Sequence, residues 1–279
     1  MTAQMTTELE PTGPADLTGL LATERPPRPS AWAASVAFGW RAVLKIKHVP
    51  EQLFDVTLFP IMMTLMFTYL FGGALGGGDV GTYLQYFLPG ILVASIVMIT
   101  MYTGVAINTD ISKGVFDRFR TLPIWRPSPM VGYLLGDAFR YTIASVIIVV
   151  LGLIIGFRPA GGVSGVVLGV LVLLVFSFAF SWIWTAFGLL LRSEKSVMGV
   201  SMMVLMPLTF MSSVYVDPIT MPGWLQAFVK VNPITHLADT VRGLMSGTDV
   251  TTPLLWIGVA CVAMLAVFGT WTMRLYNRK

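Results

Sequence analysis

The sequence predicts an all-α membrane protein with six transmembrane helices. Of its 279 residues, 55% are hydrophobic and only 11% are charged, so polar groups could not cover a water-soluble surface. The apolar residues are concentrated in runs of about twenty, the length that a helix needs to cross the hydrocarbon core of a bilayer. Continuous runs such as Val163 to Val175 lack the alternation that a membrane barrel requires. The six predicted spans are Leu53–Gly73, Gln85–Asn108, Asp137–Gly156, Ser164–Leu191, Val197–Val216 and Leu254–Met273.

The chain divides into a tail of residues 1–30 and a membrane domain of residues 31–279. The tail contains acidic residues and prolines but no apolar core, which predicts a disordered cytoplasmic segment rather than a secretory signal. The membrane domain opens with an amphipathic helix over Ala31–Pro50, where Trp32, Val36 and Trp40 recur at helical spacing beside basic residues. This helix either lies in the inner membrane interface or packs on the ends of the spans, and the two arrangements can coexist.

Basic residues set the predicted orientation. If both termini and the loops after spans 2 and 4 share one side, that side carries all but three of the 18 lysines and arginines. The other side keeps only Arg158, Lys230 and Arg242. Because cytoplasmic loops are enriched in basic residues, both termini are expected in the cytoplasm. The net charge of +4 then follows from topology, and no nucleic-acid partner is expected.

The loop after span 2, Lys113–Pro129, is basic and aromatic, and it predicts a short amphipathic helix. Its apolar residues fall on one side of a helix and its basic residues on others, while Pro123, Pro127 and Pro129 stop the helix. Such a helix beside the spans offers a surface to lipid headgroups or to a soluble partner. The residues expected to form this surface are Phe116, Arg118, Phe119, Arg120 and Leu122.

The segment Asp217–Asp249 predicts two short amphipathic helices at the outer face. Pro218 and Pro222 break the chain after span 5, and Asn232 with the proline after it forms a helix start. Gly247 can end the second helix. The segment either caps the bundle or acts as a lid over an exit. The residues expected to pack against the tops of spans 5 and 6 as an outer gate are Trp224, Phe228 and Leu237.

The chemistry of a coupled carrier or an enzyme is not expected in this chain. Charged residues lie at the ends of the predicted spans, and Asp137 and Arg140 have the i, i+3 spacing of a pair on one helix. His48 and His236 are assigned to opposite faces, which leaves no catalytic set. Cys261 is the only cysteine, so neither a disulfide nor a cysteine metal site is expected. No phosphate-binding loop motif occurs, and thus no cofactor is expected in the chain.

One region of the sequence reads Gly114-Val-Phe-Asp-Arg-Phe-Arg-Thr-Leu-Pro-Ile and is followed by Leu135-Gly-Asp-Ala-Phe-Arg. Supporting motifs are Phe87-Leu-Pro-Gly-Ile, Phe54-Asp-Val-Thr and Val231-Asn-Pro-Ile-Thr-His. The first region resembles the signature region of ABC-2-type transporter permeases, and the match is closest to the membrane subunits of daunorubicin/doxorubicin exporters. The resemblance covers nearly the whole chain from Ala31, and its motifs are specific for the family but not for the cargo.

The resemblance implies a permease that works as a homodimer with two copies of a cytoplasmic ATPase, which bind ATP and Mg. In such proteins the helix after span 2 is a coupling helix, which maps here to Gly114–Leu122, and the helix before span 1 is an elbow helix, which maps to Ala31–Pro50. The translocation path runs along the dimer interface and is lined by spans 2 and 5. The expected location is the plasma membrane of a bacterium.

Efflux of a hydrophobic or amphipathic drug or antibiotic is the leading functional hypothesis. Export of a lipid or glycan, and a channel or membrane scaffold without a transport cycle, are the alternatives. Methionines recur at i, i+4 spacing on span 5, which suits a flat polycyclic cargo, although methionines also fill gaps between helices or face lipid. The candidate residues of the cargo path are Thr100, Thr103, Asn108, Met202, Met206 and Phe210.

Overall fold

The computed structural model describes residues 30–48, 50–75, 79–115, 124–125 and 127–278, and all regular structure in these ranges is helical. The prediction of an all-helical protein is therefore confirmed for this part of the chain. Within it, four helices are long and apolar enough to cross a membrane: Val80–Ser112, Ser128–Ile155, Gly162–Leu190 and Thr251–Tyr276. Apart from Ser30, the predicted tail lies outside the described residues.

The helices of the described residues are given in chain order. The first half contains α1 (Ala31–His48), α2 (Pro50–Met66), a π-helical turn (Phe67–Phe71), α3 (Gly72–Leu75), α4 (Val80–Ile99), α5 (Met101–Ser112) and α6 (Ser128–Ile155). The second half contains α7 (Gly162–Leu190), α8 (Glu194–Phe210), α9 (Gly223–Val231), α10 (Pro233–Ser246), α11 (Thr251–Met264), a π-helical turn (Leu265–Gly269) and α12 (Thr270–Arg278).

The predicted second span is observed as two nearly continuous helices, α4 and α5, that meet at Thr100. The Thr100 hydroxyl donates a hydrogen bond to the carbonyl oxygen of Val97 at 2.5 Å. The same hydroxyl accepts a hydrogen bond from the Trp184 indole nitrogen at 2.8 Å. The break is thus stabilised by polar contacts inside the chain, as a helix interruption within a membrane requires.

Helix α6, which corresponds to the third predicted span, begins earlier than the sequence pattern predicts. Its first residue is Ser128, whereas the predicted span starts at Asp137. The sequence pattern predicts that the prolines of this region stop a helix, but it does not predict that two of them also start one. Pro127 occupies the N-cap position and Pro129 lies in the first turn, where the missing N–H has no helical partner to lose.

The fifth predicted span ends earlier than expected, because α8 stops at Phe210 and residues 211–216 form a turn. The side-chain nitrogen of Asn232 donates hydrogen bonds to the carbonyl oxygens of Leu208 at 2.7 Å and Met211 at 2.8 Å. Its side-chain oxygen accepts from the Ile234 amide at 2.9 Å, so the predicted N-cap is confirmed. The side-chain amide of Asn232 therefore caps both the end of α8 and the start of α10.

Helix α1 packs along the first turns of α6 through small residues. A Cβ atom added at Gly132 would lie 2.2 Å from the Cβ of Phe38, and one added at Gly136 would lie 2.5 Å from the Cβ of Ala42. Only glycine allows this approach. The opposite face of α1 carries exposed apolar side chains. Helix α1 can therefore pack on the spans and also lie in the inner membrane interface. The exposed residues are Trp32, Val36, Trp40 and Leu44.

Helix α7 lies at the centre of the bundle, where it contacts α5, α6, α8, α10 and α11. One of its close approaches is to α5. A Cβ atom at Gly104 would lie 2.4 Å from the carbonyl oxygen of Trp184, and one at Gly188 would lie 2.5 Å from the carbonyl oxygen of Gly104. The two backbones are therefore in direct contact at this crossing.

We expect Gly104→Ala to destabilise the protein by about 1–3 kcal/mol, because the added methyl group would force α5 away from α7. Gly258→Ala on α11 is the matched control, since no atom lies within 4 Å of its Cβ position. The control should be neutral or more stable, because alanine favours helix over glycine by up to about 1 kcal/mol. The measurement is the thermal midpoint of each variant in detergent, followed by size exclusion. Equal midpoints would contradict the close crossing.

Candidate functional site

The polar residues that were predicted to line a path on span 2 are buried inside the chain. These residues are Thr100, Thr103 and Asn108. The Asn108 side-chain nitrogen donates hydrogen bonds to the carbonyl oxygens of Gly188 at 3.0 Å and Leu191 at 2.7 Å. Thr103 donates to Asp137 at 2.5 Å. All three side chains bind neighbouring helices in this conformation, and their assignment to a cargo path stays a prediction.

A buried ion pair lies within α6, as its i, i+3 spacing predicted. A guanidinium nitrogen of Arg140 lies 3.3 Å from a carboxylate oxygen of Asp137, and both side chains are less than a tenth exposed. The Tyr141 hydroxyl lies 3.0 Å from that of Ser181 and 3.5 Å from that of Thr103, which extends the contact to α5 and α7. Charges at this depth require partners. The cluster supplies an ionic partner to each charge, but the Nε atom of Arg140 is buried without a hydrogen-bond partner among the described residues.

A second ionic contact joins α1 to the last turn of α5 and the first turns of α6. Asp110 accepts hydrogen bonds from Arg41 at 3.1 Å and from the hydroxyl of Tyr133. The Asp110 carboxylate is buried, and it lies just before the loop that contains the predicted coupling helix. The sequence placed Asp110 at the end of span 2 but did not predict its partners, because they lie on other helices.

Three of the predicted path residues do share one exposed face. They are Met202, Met206 and Phe210, and all of them lie on α8. The buried residues of this helix occupy only its other side. The Phe210 ring stacks on Tyr215 with their centroids 5.0 Å apart, and Tyr215 in turn packs against Phe67 at 5.3 Å. The exposed face of α8 therefore continues into an aromatic cluster.

The aromatic cluster borders a cavity of about 430 Å³ at the end of the molecule opposite the Lys113–Pro129 loop. We call this end outer and the space the outer cavity. Its lining includes Tyr83, Tyr86 and Tyr215, with Thr82, Asp217 and Thr220. The tyrosines come from α4 and from the turn after α8. Sequence reasoning did not identify this site, although two tyrosines at i, i+3 near the start of span 2 were a signal.

Arg242 contacts Tyr86, one of the residues that line the outer cavity. Its guanidinium donates hydrogen bonds to the carbonyl oxygens of Tyr86 at 3.1 Å and Ser213 at 2.9 Å, and to Asp239 at 2.8 Å. Its central carbon also lies 3.9 Å from the centroid of the Tyr86 ring, which is a cation–π distance. Arg242 is thus held by three groups and one aromatic face.

The outer helices form as predicted, but their apolar residues differ in burial. Leu237 on α10 is fully buried, whereas Trp224 is 72% exposed and Phe228 is 40% exposed. The expectation that all three pack against the tops of the spans is therefore wrong for the two aromatic residues within one chain. The reason is that α9 buries only Val229 and is held mainly through α10 and the preceding turn. Gly247 ends α10 with a positive φ of 74°, as expected.

The predicted coupling residues lie outside the described residues. They are Phe116, Arg118, Phe119, Arg120 and Leu122. On either side of them, Val115 and Ile124 are described, and the nearby Trp125 is exposed. The assignment of this segment to a partner surface stays a prediction. Among the residues that the structure describes, no group of three or more His, Cys, Asp or Glu side chains could hold a metal ion.

A bundle of long apolar helices with its charges paired inside defines a multi-pass membrane protein. Residues 34–246 match the family described as ABC-2 type transporter, and the chain belongs to this family. The resemblance found in the motifs is confirmed. The family consists of transport permeases, so the chain is a transport subunit and not an enzyme.

Three relatives illustrate the similarity. The chain is 50% identical over 262 residues to the daunorubicin resistance ABC transporter permease protein DrrB1 of Streptomyces coeruleorubidus, covering 94% of this chain and 92% of that protein. It is 25% identical over 191 residues to the probable doxorubicin resistance ABC transporter permease protein DrrC of Mycobacterium tuberculosis, covering 66% and 69%. It is 25% identical over 223 residues to the inner membrane transport permease YadH of Escherichia coli, covering 76% and 84%.

We expect Arg140→Met to destabilise the protein by about 3–5 kcal/mol, because it leaves Asp137 buried without its ionic partner. The double variant Asp137→Asn/Arg140→Met should lose less, since both charges are removed together. Unfolding of the wild type, the two single variants and the double variant in detergent gives the coupling energy. Additive losses in the double variant would contradict the pairing.

Proposed function

We propose that this chain is the membrane permease subunit of an ATP-driven exporter for a hydrophobic or amphipathic drug or antibiotic. The observation that carries the proposal is the 50% identity, over 94% of the chain, to a permease named for daunorubicin resistance. The structure supports it with an exposed face of methionine and phenylalanine on α8 that continues into an aromatic outer cavity. Such surfaces suit flat apolar molecules that must bind and then leave.

In this proposal the chain crosses the membrane six times. Four of the crossings are the long apolar helices. The other two are α2 with its π-helical extension, which includes the apolar stretch Pro60–Phe71, and α8. Helix α8 has 17 residues, which corresponds to roughly 25 Å at about 1.5 Å per residue, somewhat short of the hydrocarbon core. The asymmetry of basic residues supports a cytoplasmic location for both termini. The proposed location is the plasma membrane of a bacterium.

Helix α1 acts as the elbow helix in the proposed exporter. Its small residues pack on α6, while Trp32 and Trp40 on the other face remain exposed. Tryptophan favours the headgroup region of a bilayer, so this face would contact lipid at the inner surface. The ion pair between Arg41 and Asp110 would hold α1 to α5 in that position.

The energy for transport comes from a separate ATPase in this proposal. Two copies of that ATPase, each with ATP and Mg, would bind two copies of the permease through the coupling helices at Gly114–Leu122. Aromatic residues of such a helix insert into apolar notches, and basic residues meet acidic groups at the rim. Motion of the ATPase would then reach the spans through α5 and α6, which flank the loop.

The cargo path in this proposal follows α8 at the interface between two copies of the chain. Met202, Met206 and Phe210 would contact the cargo, and the outer helices would gate its exit. Within that gate Leu237 is the fixed anchor, because it is buried in the core of one chain. Trp224 and Phe228 are the parts that are free to contact the second copy or the cargo.

We expect the variant Phe116→Ala/Phe119→Ala to lose the ATPase during co-purification, with about 1–3 kcal/mol lost for one such aromatic residue. The same variant should lose ATP-dependent daunorubicin uptake into inverted membrane vesicles. Phe139→Ala, on the exposed side of α6, is the control and should retain both properties.

The same experiment separates the proposal from its alternatives. Normal co-purification and transport by the Phe116→Ala/Phe119→Ala variant would show that the coupling assignment is wrong. Loss of lipid binding with an intact complex would indicate a membrane-surface helix instead. A wild-type complex whose ATPase is not stimulated by any drug, but is stimulated by a lipid or glycan, would favour that cargo. No stimulation by the permease at all would favour a channel or scaffold.

We expect Met202→Leu/Met206→Leu to change the order in which different drugs are exported, because both side chains contact the cargo in the proposal. The substitution conserves volume, so the stability loss should stay below about 1.5 kcal/mol. Met264→Leu on α11 is the control for a methionine away from α8. The measurement is a panel of drug resistance profiles at equal expression. An unchanged profile would remove both methionines from the path.

A further inference from the structure

We propose that a second cavity at the outer end binds the phosphate group of an anionic phospholipid, which stays bound to the folded chain and is not its cargo. The cavity measures about 160 Å³ and lies between the start of α4, the turn after α6 and the end of α10. It is smaller than the roughly 300–1,000 Å³ typical of sites for drug-sized ligands, and it therefore suits a small charged group. Arg158 and Arg242 both line this space, which we call the arginine cavity.

The arginine cavity carries an excess of positive charge. None of the described residues that line it is acidic. Arg242 is paired with Asp239 at 2.8 Å, which balances its charge. Arg158, in contrast, forms no salt bridge with any described residue. One uncompensated positive charge matches the single negative charge of a phosphodiester such as that of phosphatidylglycerol.

The position of Arg158 is fixed by the turn that carries it. The Arg158 amide donates to the side-chain oxygen of Gln85 at 3.1 Å, and the Gln85 side-chain nitrogen donates to the carbonyl oxygen of Gly156 at 3.2 Å. The Nη1 atom of Arg158 donates to the carbonyl oxygens of Leu153 at 2.8 Å and Phe157 at 2.9 Å. Its Nε and Nη2 atoms donate to no described residue. A planar guanidinium with two free donor groups suits the paired oxygens of a phosphate.

The arginine cavity lies at the level where α6 and α7 leave the apolar part of the membrane. The side chains on both sides of the turn are apolar and exposed, with Ile154 at 76% and Val163 at 81%. In a membrane-spanning bundle such surfaces contact acyl chains. A phospholipid whose chains lie along α6 and α7 would therefore place its phosphate beside Arg158, at the depth where arginine favours the headgroup region.

A phosphate in the arginine cavity would join the turn after α6 to α10. These elements are already in contact, because the Gly161 amide donates to the carbonyl oxygen of Met245 at 2.8 Å. A Cβ atom at Gly165, in the first turn of α7, would lie 2.2 Å from the carbonyl oxygen of Leu244. A lipid held between Arg158 and the end of α10 would thus strengthen the attachment of the outer helices to the spans.

The test uses two photoreactive lipids that differ only in their headgroups. A phosphatidylglycerol probe and a phosphatidylcholine probe each carry a diazirine near the ester bond of one chain. The purified permease is reconstituted without ATP in phosphatidylcholine nanodiscs that contain a small fraction of one probe, and crosslinked residues are located by digestion and mass spectrometry. We expect about fivefold more crosslinking of residues 153–163 by the phosphatidylglycerol probe, as for one basic residue at an anionic lipid.

Three variants assign this selectivity to one side chain. Arg158→Gln should lower crosslinking of residues 153–163 by the phosphatidylglycerol probe about fivefold. Arg158→Lys should retain most of it, because the charge remains although the planar fork is lost. Arg192→Gln is the matched control, since Arg192 is an exposed arginine in the bend at the other end of α7. The control should leave crosslinking of residues 153–163 unchanged.

Excess inorganic phosphate separates a phospholipid from a soluble anion of the same chemistry. Crosslinking that persists in phosphate, compared with chloride at equal ionic strength, would support a bound lipid. Its loss in phosphate alone would show that the arginine cavity takes free phosphate, and the proposal would be overturned.

Equal crosslinking of the wild type by the two lipid probes would also overturn the proposal, and this comparison does not depend on the folding of any variant. The same conclusion would follow from an Arg158→Gln protein that elutes as the wild type in size exclusion and is crosslinked as strongly as the wild type.

Discussion

Backbone contact between α5 and α7 sets the positions of the polar side chains around it. At this crossing the carbonyl oxygens of Trp184 and Gly104 occupy the space that a Cβ at Gly104 or Gly188 would need. Because the helices are so close, Asn108 reaches the carbonyl of Gly188 and the Trp184 indole reaches Thr100. Lipid offers no water to replace these partners, so each contact depends on the others being formed. A larger residue at either glycine would separate donors and acceptors together.

The same constraint decides which surfaces remain for transport. Polar side chains that clamp α5 to its neighbours cannot at the same time contact a cargo in this conformation. Helix α8 differs, because its buried residues form a single stripe and the rest of its surface is exposed. That stripe consists of Val197, Ser201, Leu205 and Thr209. Hydrogen bonds fix both ends of α8. At its start the Ser193 hydroxyl oxygen accepts from the Ser196 amide, and at its end the Asn232 side-chain nitrogen donates to the Leu208 carbonyl oxygen. A helix fixed at its ends and packed along one side is the element best suited to present a cargo surface.

The sequence predicts some of this arrangement and not the rest, for physical reasons. Helix α7 was predicted as Ser164–Leu191 and is observed as Gly162–Leu190, because a uniformly apolar run has few alternative structures in lipid. The start at Asn232 was predictable because capping is local in sequence.

Other features depend on partners that only the tertiary structure supplies. A buried polar residue such as Asp110 or Thr103 must have a partner, but its own sequence neighbourhood does not indicate which helix provides it. The sequence alone therefore does not predict that the polar side chains of span 2 contact neighbouring helices. Proline is ambiguous in the same way, because it can end one helix or start the next. Pro127 is the N-cap residue of α6.

The inner polar contacts connect the proposed coupling loop to a defined group of helices. Asp110 precedes that loop and Tyr133 follows it, and both are joined to Arg41 of α1 through the same carboxylate. Within α6, the pair of Asp137 and Arg140 extends the connection toward the middle of the bundle. A force applied to the loop would therefore move α1, α5 and the start of α6 together.

None of these ionic contacts includes a residue of helix α8. Its ties are to the outer helices through Asn232 and, through its buried stripe, chiefly to α5. In the proposed exporter, ATP-driven motion of the inner group would thus reach α8 through α5. Since the exposed face of α8 carries the proposed cargo surface, movement of α5 would move that surface as well. This contact provides a mechanical basis for coupling in a chain that lacks a phosphate-binding loop motif.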